Sequence, residues 1–122
     1  MDIESVLPSS RSGNKLEVVI CLVSCPSKSV AVDLARTLVA RKVAACVSIC
    51  PGIESIYEWE GEMTSAQEVL LLIKTTKTQV ATLKTTISEE HPYEVPELLI
   101  SAAVDGLPDY LEWVRKATSF GS

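Results

Sequence analysis

A chain of 122 residues, 47% hydrophobic and 22% charged, has the size and balance of one domain around a single core. Its formal charge of −5 and pI near 4.8 repel phosphate, which argues against nucleic acid and anionic membrane surfaces as partners. No apolar run approaches the roughly 20 residues of a membrane span, so a cytoplasmic protein is expected.

The opening MDIESVLPSSRSGNK has acidic residues where a secretory leader needs basic ones, and no apolar stretch. Residues 1–15 read as a flexible polar tail and residues 16–122 as the folded domain. LEVVICLVS from Leu16 is nearly continuous in Val, Ile and Leu, the pattern of a strand buried on both faces. Ser27 is a good N-cap for a helix whose apolar face is Ala31, Leu34, Ala35, Leu38 and Val39. Arg41 and Lys42 suit the negative end of that helix.

VAACVSIC from Val43 reads as a second strand, broken at Pro51-Gly52 by an expected bulge or bend. The strand resumes with Ile53, Ser55, Tyr57 and Trp59 alternating against Glu54, Ile56, Glu58 and Glu60, and turns at Gly61. EVLLLIKT from Glu68 is the returning strand. Thr76 and Gln79 have the spacing of a capping box before a helix with Val80, Leu83 and Ile87 on one face. His91-Pro92 ends it, because a residue before proline avoids the helical region. PELLISAAV from Pro96 is a fourth strand, and GLPDYLEWVRK a short final helix with Tyr110, Trp113 and Val114 on one side.

This order is the split βαβ plan: an α+β, ferredoxin-like βαββαβ sandwich with two helices on one face of a four-stranded antiparallel sheet. Its middle hairpin is too long for a monomer of this size. Arms of about 45–60 Å at ~3.3 Å per residue exceed a gyration radius of about 14 Å. Ile56, Tyr57 and Trp59 at the tip gain nothing from facing water, so they are expected to form an interface with other copies of the chain. The alternative is a tip that folds back on its own subunit.

The cysteines fall as two C-x3-C pairs, Cys21/Cys25 and Cys46/Cys50. In strands, partners four apart lie roughly 13 Å from one another, too far to share a zinc ion at about 2.3 Å. Buried, inert thiols are the expectation.

VARKVAACVSICPGIESIYEWEG, EVLLLIKTT and HPYEVPELL together resemble the CutA family of divalent-cation-tolerance proteins, over about Val18 to Trp113. The resemblance implies a compact homotrimer whose long hairpins wrap between neighbours, and an association with copper and other divalent cations. In mammals it also implies a link to anchoring of acetylcholinesterase. The fold and assembly are similar to those of PII proteins, which sense small ligands. In bacterial members with a copper site, the ligands are a first-strand cysteine and a pair of histidines before Pro-Tyr. Here Val23 stands at the cysteine position, with Cys21 and Cys25 two residues to either side, and Glu90 at the first histidine. The resemblance therefore leaves His91 and Glu90 as the metal ligands, Cu²⁺ being the favoured ion.

The other reading of His91, the only histidine, is a helix terminator that bonds a main-chain carbonyl. No phosphate loop or nucleophile elbow is present, and no cation stands near a cysteine to activate it, so catalysis is not expected. Three roles follow: metal homeostasis; PII-like sensing of a small ligand in the clefts between subunits, near Tyr93, Lys74 and Glu97; or a trimeric scaffold that docks another protein.

Overall fold

The computed structural model describes residues 17–119; the tail expected over residues 1–15 lies outside them. In chain order the elements are β1 (Val18–Cys25), α1 (Lys28–Ala40), β2 (Cys46–Trp59), β3 (Glu62–Thr76), a 3-10 turn (Lys77–Gln79), α2 (Val80–Glu90), β4 (Leu98–Ala102) and α3 (Pro108–Ala117). The sheet has the order β2-β3-β1-β4 with every pairing antiparallel. The expected ferredoxin-like arrangement is therefore present.

Alternation along the strands decides which face the helices cover. Val19, Cys21, Val23 and Cys25 of β1 and Val69, Leu71 and Ile73 of β3 meet Ala31, Leu34 and Leu38 of α1 and Leu83 and Ile87 of α2 in one core. The intervening residues point the other way. At one end of that second face α3 seats Val114 against Val18 and Ala45, while Ile20 and Leu99 stay exposed.

Several local expectations change. Val43 is not a strand residue. It belongs to the exit of α1, where Lys42 takes φ 59°, its N–H donates to the Val39 carbonyl and that of Val43 to the Leu38 carbonyl. This is a Schellman closure, and β2 begins only at Cys46. The capping box at Thr76 does not form: the Thr76 hydroxyl meets those of Thr78 and Thr118, and the Gln79 amide donates to the Thr118 carbonyl. Gln79 is thus used to tie down the end of α3, and α2 starts through a 3-10 turn. Strand β4 begins at Leu98 rather than Pro96. Val39 is exposed, and α3 buries Val114 with Leu111 and Ala117 half-buried beside it, while Tyr110 and Trp113 stack on each other outside. Ser27 caps α1 as expected, accepting from the Val30 N–H.

The bulge at Pro51-Gly52 is also present and positions the rest of the hairpin. Cys50 pairs with Leu70 and Ile53 with Glu68, so two residues of β2 oppose one of β3 and the alternation of β2 flips. Gly52 takes φ +79° there. Beyond the bulge Ile53, Ser55, Tyr57 and Trp59 share a face with Glu68, and Ile56 lies on the opposite one.

Candidate functional site

His91 ends α2 with extended backbone, its N–H closing on the Ile87 carbonyl. From that position its ring is buried. Nε2–H donates to the Ser24 carbonyl at 2.7 Å, and Nδ1 accepts from the Tyr93 N–H at 3.1 Å. One nitrogen carries a proton and the other has spent its lone pair, so neither can bind a metal without breaking a bond to the main chain. Glu90 turns instead to Arg41, 3.4 Å away across the helix layer. The His91 and Glu90 pair therefore does not fit a copper ion in this arrangement. Among the described residues no three His, Cys, Asp or Glu side chains converge to hold a metal.

The bond from Tyr93 to His91 has a consequence on the far side of the sheet's end. It fixes the turn after α2, and the two rings lie 4.9 Å apart. Tyr93 is thereby held over a cleft of about 460 Å³. Tyr57, Trp59, Ala66 and Glu68 from one face of the hairpin line it, together with Ser24, Val95 and Glu97. Burial raises the Tyr93 hydroxyl above the usual phenol range, helped by the charge of Glu68 and by Tyr57 and Cys25.

Within one chain, Lys74 does not reach Tyr93. It lies six residues past Glu68 on β3, about 20 Å along the strand, with its ammonium on the Ser48 hydroxyl and the Leu72 carbonyl. The cleft thus brings together Tyr93 and Glu97, expected as ligand contacts, with Tyr57 and Trp59, expected at a subunit interface. Glu68 and Ser24 were not singled out from sequence. The signal for Glu68 was its alternation with Ala66, but the facing aromatics are identified only once the bulge has flipped β2.

All four cysteines are free. Burial pushes the Cys21 thiol up to about 11, and burial together with the Glu68 charge does the same to Cys25. Both are protonated at neutral pH, poor as nucleophiles or metal ligands.

A profile of the CutA1 divalent ion tolerance protein family matches residues 19–117. The chain belongs to that family. Divalent-cation tolerance protein CutA of Thermus thermophilus is 43% identical over 99 residues, 81% of this chain and 96% of that one. Protein CutA of Homo sapiens is 40% identical over 114 residues, and the match spans 64% of its length. Among solved structures, the divalent cation tolerance protein of Thermus thermophilus superposes with a TM-score of 0.81 at 42% identity, covering 84% of this chain and 99% of that one. CutA1 from Oryza sativa does so with a TM-score of 0.83 at 36% identity, covering 86% and 96%. Divalent-cation tolerance is thus the family's common label, and no helix among the described residues is long and apolar enough to cross a membrane.

Proposed function

We propose that this chain serves divalent-cation tolerance as a non-catalytic homotrimer in the cytoplasm, meeting the cation, with copper favoured, at Glu68 and Glu97 rather than at His91. The observation that carries this reading is that both carboxylates line one cleft and neither has an ion-pair partner among the described residues. A carboxylate pair is a modest copper site, and a trimer would multiply it. The free thiols accord with a reducing compartment. The raised pKa of Cys21 and Cys25 and the engaged His91 ring argue against thiol catalysis.

Copper titration by calorimetry on metal-stripped protein tests the assignment. Saturable binding should persist in His91→Ala and disappear in the double variant Glu68→Gln, Glu97→Gln. Loss in His91→Ala, or no binding by the wild type, would overturn it.

A second reading, a PII-like sensor of a small ligand, draws support from the same cleft. Its volume lies in the range of small-molecule sites, and its aromatic wall exceeds what a bare ion uses.

A further inference from the structure

Strand β3 turns Leu71 and Ile73 into the core, so Glu68, Leu70, Leu72 and Lys74 share the open face of the sheet. That row has a carboxylate at one end, an ammonium at the other and two leucines between. Six residues of strand set the two charges about 20 Å apart, so they cannot pair within one chain. Both side chains are half-buried, and neither has an ion-pair partner among the described residues. The Lys74 ammonium has only neutral acceptors, the Ser48 hydroxyl and the Leu72 carbonyl. Among the described residues no Lys or Arg lines the cleft beside Glu68.

Covering this face changes the balance of charge. A half-buried charge still in contact with water needs no partner, but one that an interface desolvates is costly unless it is paired and hydrogen-bonded. An apolar partner on this face would strand both charges, and a partner of one sign would strand one of them. A second copy of the chain strands neither, because it carries the same row with the same two ends. A cyclic assembly in which each hairpin reaches onto the next copy runs the β3 strands head to tail around the axis. The Lys74 end of one strand then approaches the Glu68 region of the next. Such a contact joins two different patches and closes after a fixed number of copies.

We propose that Lys74 of each subunit forms an ion pair with Glu68 of the partner subunit, a contact repeated around the trimer that fixes which end of one chain meets which end of the next. This rests on the homotrimer reading and adds the residues that select the partner. A divalent cation then reaches Glu68 by displacing the ammonium, while Glu97, which is exposed, stays open to it.

The test follows chain exchange between isotope-labelled and unlabelled full-length protein by native mass spectrometry, in EDTA so that no metal bridges the carboxylates. Lys74→Gln and Glu68→Gln each leave one charge unpaired in the interface. Each should speed exchange by about tenfold or more, since loss of one partner of a buried pair acts on dissociation. The double variant removes both charges, which costs little, and should exchange more slowly than either single variant. Residues about 20 Å apart in one chain have additive effects, so such recovery arises only between chains. Single variants that exchange at the wild-type rate, or a double variant at least as fast as the faster single one, overturn the pair and leave the trimer standing. If a single variant fails to assemble, recovery in the double variant still decides the question. A wild type that runs as a single chain removes the homotrimer reading and the pair together. Recovery within an assembly of two chains keeps the pair and removes the trimer.

Discussion

His91 shows how one side chain can serve structure and site together. Its ring joins the end of β1 to the turn after α2 by two hydrogen bonds, both to main-chain groups. In His91→Ala the Ser24 carbonyl and the Tyr93 N–H lose their partners in a buried setting, and a cavity opens. Unpaired buried groups cost about 1–3 kcal/mol each, so the variant should lose about 3 kcal/mol in urea unfolding at fixed protomer concentration. A loss below about 1 kcal/mol would mean that the ring is not held as described. The sequence marks His91 as a helix terminator through Pro92 and shows that a metal reading is weak, because the family's other copper ligands are replaced. It does not show which carbonyl the ring would reach, since Ser24 lies 67 positions away. Nor does it separate Lys74 from Tyr93, because distance along a strand counts only once the strand's neighbours are known.

At the scale of elements, two left-handed residues carry the chain through its tightest reversals without glycine's freedom. Glu60 takes φ 51° before Gly61 at φ 82° in the two-residue turn between β2 and β3, the geometry that Asn-Gly supplies most easily. Lys42 takes φ 59° at the exit of α1, where glycine is the usual residue. A left-handed conformation costs a side chain about 1–2 kcal/mol, part of which glycine returns through its freer unfolded chain. Lys42→Gly should therefore stabilise the fold by about 0.5–1 kcal/mol, seen as a higher melting temperature with copper and ligand binding unchanged. A lower melting temperature would show that the lysine side chain contributes more than its backbone strain removes. The same features explain what was readable beforehand. Alternation and apolar periodicity exposed the strands and the main helix faces, and Pro51-Gly52 exposed the bulge. The exit of α1 was hidden because a lysine occupies the place where glycine would announce it. The capping box failed because Gln79 had a partner 39 residues away, which no local pattern reveals.

For the whole molecule, the hairpin and the uncovered sheet face lead to the same conclusion. Strand β1 pairs with β3 only from Val69 onward, so residues 62–68 and their partners in β2 form a ribbon of about 23 Å with no third strand. A two-stranded ribbon is marginal on its own in water, and this one carries Trp59 at 64% and Ile56 at 67% exposure, on opposite faces. On the open sheet face, Leu99 is paired with Leu22 and is 60% exposed, beside the half-buried Leu70 and Leu72. Such a surface is costly to leave wet. Copies of the chain packed face to face would cover it, with the hairpins reaching onto neighbours. Sedimentation equilibrium should give about three times the 13.2 kDa chain mass. Leu99→Asp places a charge on the uncovered face, at the edge strand β4, where a face-to-face trimer would have to desolvate it without a partner, while an isolated subunit leaves it in water. That substitution should shift the mass towards a single chain and leave the far-ultraviolet circular dichroism of the subunit in place. A trimer undisturbed by Leu99→Asp would mean that the chains meet through the hairpin and the strand edges, with the open face left to solvent.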